Sequence, residues 1–518
     1  MKTSPRLFIT LLGLFVSCVW VRAADKPNVI FLLTDDQSSY SLGCYGNKDV
    51  KTPHVDGLSE AGMTFDHHYD TTAICMASRV NVMTGLYEYR HACNFDRGPL
   101  MEEHWRKSYP VLLREAGYLT AFAGKFGFLV KGAGKDKPRL PAEAFHKWGG
   151  GPGQTNYATA KNPSMAAYAR EYPHSSRSYG AFGRDFVLEA AKSGKPFCLS
   201  ISFKAPHKPD QPDPLFNQVY AGKTFKKPAN YGREYGGHFS LQSRQGRQYE
   251  RFASWGYRDR YDEVMAVYHQ MVHGVDAAVG MIRRAVKEAG AADDTVFIFT
   301  SDNGFFCGSH GYGSKVLPYE EASKVPLILF DPRHPNSGKK LRSDSLTANL
   351  DLAPTILELA GLQAPEGMDG VSLLPLLDDP EATVRETAAL INVWGPKKVH
   401  SLAVVTKDHK YVYWPYEDGK TFKPTEELYH LAEDPHELEN VAESDPRALH
   451  DLRATYDRAV SAWRRDAAPY HGYAEYGDVF DRSVPWLHPA STKPEKTDPP
   501  AKKPARPDKK PGKKRKTK

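Results

Sequence analysis

Two pairs of hard-oxygen side chains punctuate the sequence. Asp35 and Asp36 follow the apolar run NVIFLLT (28–34). Asp302 and Asn303 follow TVFIFT (295–300) after one serine. Three carboxylates and an amide oxygen are the ligand type of Ca2+ or Mg2+, and carboxylates held close together repel without a cation. Either pair alone reads more simply as a turn or helix cap. Between them, in ICMASRVNVMTG, Cys75 stands four residues before Arg79. A cysteine between Ile74 and Met76 is usually core. Lys125 after Gly124, His207 after Pro206, and the pair His310 and Lys315 add basic and titratable groups. Singly, each reads as surface or loop. Brought together, a metal cage, a cysteine and basic side chains would make a metal-assisted catalytic site.

Such a site needs strands that end side by side. Asn28–Thr34, Leu119–Ala123, Pro196–Phe203, Thr295–Thr300 and Val325–Phe330 are short apolar runs without alternation, as in strands buried on both faces. Tyr109–Ala116 and Asp262–Gly290 carry helical spacing, the second ending in glycine. The alternation predicts an α/β fold, a large mixed, mostly parallel sheet flanked by helices. Sites in such sheets lie beyond the carboxyl ends of the strands, where both acidic pairs fall. From residue 388 short strands crowd together (Ala388–Val393, Ser401–Lys407, Lys410–Trp414), followed by ELYHLAEDPHELENVA (427–442). They predict a smaller C-terminal subdomain, an antiparallel sheet with a closing helix. Residues 220–260 lack periodicity and read as a surface insertion bordering a cleft.

At 518 residues the chain exceeds one hydrophobic core. The predicted division is a signal peptide at 1–24, a catalytic domain at 25–387, the subdomain at 388–482 and a disordered basic tail at 483–518. Lys2 and Arg6 precede the apolar run Leu7–Val21, which is followed by Arg22-Ala23. This is an export signal, too short for a membrane span; the run continues past Cys18, which argues against a lipoprotein. The expected location is secreted or periplasmic, with no transmembrane segment in the mature chain. The net charge of +7 comes from the tail: residues 493–518 hold twelve Lys/Arg against three Asp/Glu, which leaves the rest at −2. That balance argues against a nucleic-acid partner. Five cysteines remain after the signal, and if Cys75 is reserved for chemistry, Cys44, Cys93, Cys198 and Cys307 allow three disulfide pairings.

The order Asp35-Asp36, CMASR with Thr84-Gly85, Gly124-Lys125, Pro206-His207, Asp302-Asn303-Gly304, His310-Gly311 and Lys315 resembles the type I, formylglycine-dependent sulfatases of the alkaline phosphatase-like superfamily. KTPHVDGLSEAGMTF (51–65) and ELYHLAEDPHELENV extend the resemblance over nearly all the mature chain. It implies an exported sulfuric ester hydrolase acting on a sulfated oligo- or polysaccharide, with a phosphodiester or phosphonate monoester hydrolase as the alternative within the superfamily. A non-catalytic polyanion-binding relative is the outside reading. It further implies that a formylglycine-generating enzyme oxidises Cys75 to formylglycine (3-oxoalanine), whose hydrate attacks sulfur. Asp35, Asp36, Asp302 and Asn303, with the modified Cys75, would hold Ca2+, or Mg2+. Arg79 would hold the modified side chain, Lys125 and Lys315 would clamp the sulfate, His207 would protonate the departing oxygen, and His310 would line the substrate side.

Two departures stand out. The family commonly has Lys-X-His where this chain has Lys125-Phe126-Gly127, so a histidine is missing, with His91 as a possible substitute. Ala77 replaces the more usual proline, which suggests a bacterial maturation system. Trp148, Tyr157 and Trp255 are candidate stacking surfaces for sugar rings.

Overall fold

The computed structural model describes residues 26–484. The expected export signal and most of the basic tail lie outside the described residues. The main sheet has eight strands: β1 (Asn28–Thr34), β2 (Met63–Tyr69), β3 (Leu119–Lys125), β4 (Lys147–Gly151), β5 (Phe197–Ser202), β6 (Thr295–Ser301), β7 (Leu327–Phe330) and β8 (Leu341–Ala348). Their order is β8-β2-β7-β6-β1-β5-β3-β4. All neighbours run parallel except β7, which is antiparallel to both β2 and β6.

The apolar run of β1 alternates between two cores. Ile30 and Leu32 face one layer, and Val29, Phe31 and Leu33 the other. The main helices are α1 (Pro53–Ala61), α2 (Cys75–Thr84), α3 (Tyr109–Glu115), α4 (Ser175–Ala191), α5 (Arg247–Ser254), α6 (Tyr261–Glu288), α7 (Leu352–Leu359) and α8 (Pro446–Asp466). The first layer is covered by α4 and α6, the second by α2, α3 and α7. The insertion at 220–260 holds short turns and α5, and it lies against the site.

A second, four-stranded antiparallel sheet follows: β9 (Ala388–Asn392), β10 (Ser401–Val405), β11 (His409–Trp414) and β12 (Thr425–His430). ELYH belongs to its last strand, and the closing helix α8 comes later, one face of it buried through Leu452, Tyr456, Val460 and Trp463. The two sheets share a core in which Leu346 and Ala348 of β8 meet Leu390, Val412 and Trp414. None of the three possible disulfide pairings forms: Cys44, Cys93, Cys198 and Cys307 are free thiols, Cys44 and Cys307 at one core and Cys93 and Cys198 in the other. Burial pushes Cys44, Cys198 and Cys307 up to about 12, so they stay protonated and inert.

Asp276 of α6 ties α1 to α6. Its Oδ1 accepts from the backbone N–H groups of His54 and Val55 at 2.9 and 2.8 Å, at the first turn of α1. Burial raises its pKa to about 7 against those two donors. The folded state therefore binds this proton more tightly than the unfolded chain, and stability falls as pH rises from about 4 to about 7. Asparagine keeps the acceptor without the charge. Asp276→Asn is expected to be more stable than the parent at pH 7 by at least about 1 kcal/mol, a gain that vanishes near pH 4. Denaturant titrations at the two pH values check this; a less stable variant at pH 7 would contradict it.

Candidate active site

The sheet order explains the site. Parallel neighbours β3, β5, β1 and β6 end together, and each delivers a polar group at its carboxyl end. Lys125 closes β3, Ser202 closes β5 with Lys204 and His207 just beyond, Asp35 and Asp36 follow β1, and Asp302 and Asn303 follow β6. Backbone bonds lock these ends together: Asp35 N–H donates to Ala205 C=O at 3.2 Å, and Asp302 N–H to Thr34 C=O at 3.0 Å. Asp36 sits in the left-handed region, at φ +66°. This turns its carboxylate back toward Asp302, whose Oδ1 accepts from the Asp36 N–H at 3.3 Å.

Cys75 is the first residue of α2, at the end where free N–H groups favour negative charge. Its Sγ lies 3.6 Å from Lys315 Nζ and 3.9 Å from Gln154 Nε2. Arg79 follows one turn later, 1 % exposed. Its Nε donates to Asp302 Oδ2 at 2.8 Å and its Nη1 to the Lys125 carbonyl at 2.7 Å, with Ser202 Oγ also bonded to Nη1. Nη2 stands 2.7 Å from Asp302 and 3.6 Å from Asp35. Lys125 pairs with Asp35 and Lys315 with Asp36, while Asn303 Nδ2 donates to Asp36 Oδ1 at 2.7 Å.

These charges shift one another. Burial pushes the Asp35 carboxyl up, but Lys125, His207, Lys315 and Arg79 more than reverse it and hold it well below the usual range. Burial and the neighbouring Asp35 raise Asp302 to about 6. Lys315 rises despite its burial because Asp36 and the Cys75 sulfur surround it. Burial lowers His207 to about 4 against the pull of Asp35 and Asp36. Its Nδ1 faces the Lys208 carbonyl, which makes Nδ1 the protonated nitrogen and leaves Nε2, 3.8 Å from Asp36, open to the site.

The carboxylates of Asp35, Asp36 and Asp302 offer oxygens within 4.8 Å of one another. Asp35 Oδ1 and Asn303 Oδ1 are buried and have no hydrogen-bond donor. Hard oxygens, converging, with unused lone pairs, fit a divalent cation such as Ca2+ or Mg2+. Above them opens a cavity of ≈ 580 Å³ lined by Asp36, Cys75, Gln154, His207 and Lys315, with Arg251, Trp255 and Trp394 among its outer walls.

A family model of sulfatases matches residues 27–362. The chain belongs to the sulfatase family. A second model, of the N-sulphoglucosamine sulphohydrolase C-terminal region, matches residues 308–466. The sequence is 26 % identical over 508 residues to the N-acetylglucosamine-6-O-sulfatase of Bacteroides thetaiotaomicron, covering 85 % of this chain and 88 % of the relative. Among solved structures, BT4656 in complex with its substrate D-glucosamine-2-N,6-O-disulfate superposes with a TM-score of 0.69 at 22 % identity, over 88 % of this chain and 100 % of the other. The phosphonate monoester hydrolase of Agrobacterium radiobacter gives 0.68 at 23 %, over 85 % and 96 %. The chain is a sulfuric ester hydrolase of this family, and its sheet is the mixed, mostly parallel one the sequence predicts.

The structure brings Asp35, Asp36, Cys75, Arg79, Lys125, His207, Asp302, Asn303 and Lys315 into one cluster at these strand ends. His310 is outside it. Its imidazole is fully buried, with Nδ1 2.9 Å from the Tyr235 carbonyl, Nε2 2.8 Å from Asn230 Nδ2, and Phe239 packed on the ring. The insertion seals this residue, so it does not line the cavity. His91 is also elsewhere: its nitrogens engage Asn81 Oδ1 at 2.6 Å and the Cys93 N–H at 3.0 Å. Gly127 explains the missing histidine. A Cβ there would stand 2.5 Å from Arg79 Cδ, and φ is +91°; the guanidinium stem fills the space of a side chain.

Of the three proposed stacking residues, Trp255 alone lines the cavity. Trp148 stacks on Phe122 in the core, and Tyr157 is buried with its hydroxyl donating to the Lys204 carbonyl at 3.3 Å. Sequence reading missed Gln154, Lys204, Arg247, Arg251 and Trp394. Lys204 is 5 % exposed, and its Nζ donates to the Gln154 carbonyl at 3.0 Å, which fixes the loop that brings Gln154 to Cys75. An apolar strand ending in Lys204 was the available signal for that residue.

Proposed function

We propose that this sulfatase is an exported enzyme that releases sulfate from a sulfated carbohydrate, with Cys75 matured to formylglycine and a divalent cation held by Asp35, Asp36, Asp302 and Asn303. The observation that carries the reading is the position of Cys75. It opens a helix beside a buried oxygen cage, with Lys315 3.6 Å from its sulfur, at the floor of a cavity large enough for a sugar ring. The hydrated aldehyde would supply the nucleophilic oxygen, and the cation would supply positive charge to the sulfate.

The chain's own residues do the rest. Lys125 and Lys315 direct two ammonium groups at the cage, and the same groups can clamp sulfate oxygens, so that charge developing on the ester meets preorganised donors. Arg79 reaches Asp302, Lys125 and Ser202 at once, which holds three strand ends and the start of α2 in register. His207 presents Nε2 to the cavity and is placed to carry a proton to or from the leaving oxygen. Gln154 orients the side chain at position 75. Trp255 and Trp394 offer aromatic walls for a sugar ring. The relative from Bacteroides thetaiotaomicron acts, by its name, on N-acetylglucosamine 6-O-sulfate groups, which supports an amino sugar sulfate as the first substrate class to test.

The fold is shared equally with the phosphonate monoester hydrolase. The sulfatase family model and the curated relative favour sulfate over that chemistry. An intact set of donors and cations speaks against a non-catalytic relative.

The test is sulfate release from a panel of sulfated galactans, glycosaminoglycan fragments and N-acetylhexosamine sulfates, using protein from a host that forms formylglycine. Release from one class, absent with Cys75→Ala, is expected; no release from any, with the aldehyde verified at position 75, would overturn the reading. The cage has its own test. Ca2+ or Mg2+ at about 100 times its Kd is expected to add about 2.7 kcal/mol of stability, seen as a rise in melting temperature that a chelator reverses and that Asp302→Ala lacks. No response to either ion would contradict the cage.

A further inference from the structure

The outer wall of the cavity holds an exposed aromatic side chain that the reaction centre does not use. Phe95 is 40 % exposed, and Asp96 beside it is exposed as well. Both line the cavity that opens over Cys75. Their loop is fixed on either side. Asn94 is buried; its Nδ2 donates to Glu88 Oε1 at 2.6 Å, and its Oδ1 accepts from the Phe95 N–H at 2.7 Å. The Asn94 carbonyl accepts from the N–H groups of Arg97 and Gly98, each at 3.1 Å. Arg97 donates to the Tyr476 hydroxyl and lies 4.9 Å over that ring. An anchored turn thus presents two neighbouring side chains, an apolar ring and a carboxylate, to the cavity.

The other aromatic groups of this wall already carry cations. Arg251 lies 4.1 Å over the ring of Trp255, and Arg247 4.5 Å over that of Trp394. Trp394 meets Phe95 at a centroid distance of 6.4 Å and an angle of 60°, which braces the Phe95 ring from one side. Among the described residues no cation covers Phe95. Asp96 Oδ2 takes one long bond, from the Gly395 N–H at 3.5 Å, and lone pairs remain on both carboxylate oxygens. An apolar ring beside an anionic acceptor matches the two surfaces of a sugar, the C–H groups of its face and the hydroxyl donors of its rim. Because the turn is held before any ligand arrives, little ordering is lost on binding. The cage, Cys75 and the clamping lysines require neither residue.

We propose, resting on the sulfatase reading above, that Phe95 and Asp96 form a subsite for a second sugar unit, next to the one that bears the cleaved sulfate. The enzyme then acts on sulfated oligosaccharides in preference to sulfated monosaccharides. Phe95 stacks on the ring of the second unit, and Asp96 accepts from its hydroxyl groups.

The experiment compares kcat/KM for N-acetylglucosamine 6-sulfate alone and for the same unit joined to a neutral galactose, on its reducing side or on its non-reducing side. The parent is expected to prefer one of the two disaccharides to the monosaccharide by about tenfold or more. Phe95→Ala is expected to bring that ratio near one, and Phe95→Trp to keep it, since either ring can stack. Asp96→Ala is expected to remove part of the preference, and Asp96→Asn, which keeps an acceptor oxygen, less of it. A parent ratio near one for both disaccharides, or a preference that Phe95→Ala leaves intact, would overturn the subsite and leave the sulfatase reading standing. Should sulfate be released only from another sugar of the panel, the same monosaccharide and disaccharides built on that sugar give the deciding ratio. No release from any sulfated saccharide would overturn both.

Discussion

Cys75→Ala is expected to lose sulfate release by at least about 10^4-fold, the scale seen when an enzyme loses its nucleophile. The loss is expected without a loss of fold. Cys75 is buried at the start of α2, but its sulfur makes only long contacts, to Lys315 and Gln154. Alanine suits the first turn of a helix, and the melting temperature should stay within about 2–4 °C of the parent. The residual site keeps the oxygen cage, Arg79 and both lysines, so the variant should still bind a sulfated substrate. Calorimetric binding with no turnover is the expected pair of results. A variant that retains even a hundredth of the parent activity would remove Cys75 from the chemistry.

Arg79→Ala is expected to damage both fold and activity. The guanidinium is buried against two carboxylates, and Asp302 takes two of its nitrogens, at 2.7 and 2.8 Å. Removing it leaves Asp302 charged, buried and short of its partner, a defect of about 3–5 kcal/mol. The cage gains protons in response: Asp302, already raised to about 6, would move higher and bind a cation less well at neutral pH. Arg79→Lys is expected to fail almost as badly, because one ammonium cannot bond Asp302, the Lys125 carbonyl and Ser202 together. Gly127→His tests the same packing from the other side. Its Cβ would collide with Arg79 Cδ, so inserting the histidine common at this position in related enzymes should lower activity and melting temperature. Activity gained by Gly127→His would contradict the account of why glycine stands there.

The strands that carry the site were legible because they are apolar on both faces and end in acidic or basic residues. Asp35 and Asp36 after NVIFLLT, and Asp302 after TVFIFT, needed no tertiary information. Strands β2, β4 and β8 were not read. MTFDHHY and LRSDSLTA carry polar residues that the neighbouring layers bury, and KWGGG lacks β-branched residues altogether. Helix α4 escaped because its serines and glycines, which allow close contact with α6, mimic a loop. The family resemblance placed His310 on the substrate side; the structure seals it behind residues 230–239, whose irregular sequence gave no hint of that cover. The outer wall was illegible for a related reason. Arg247, Trp255 and Trp394 come from segments distant in sequence, and only the packing of the insertion against the second sheet brings them to one cavity.

The central claim is that this site cleaves sulfate esters of carbohydrates, and a direct competition tests it most sharply. One preparation, with the aldehyde at position 75 verified by peptide mass and Ca2+ present, would be given a sulfated amino sugar and a phosphonate monoester at equal concentration. The account predicts that inorganic sulfate appears and the phosphonate ester persists, with kcat/KM for sulfate higher by at least about tenfold. Hydrolysis of the phosphonate ester with the sulfated sugar untouched would contradict it.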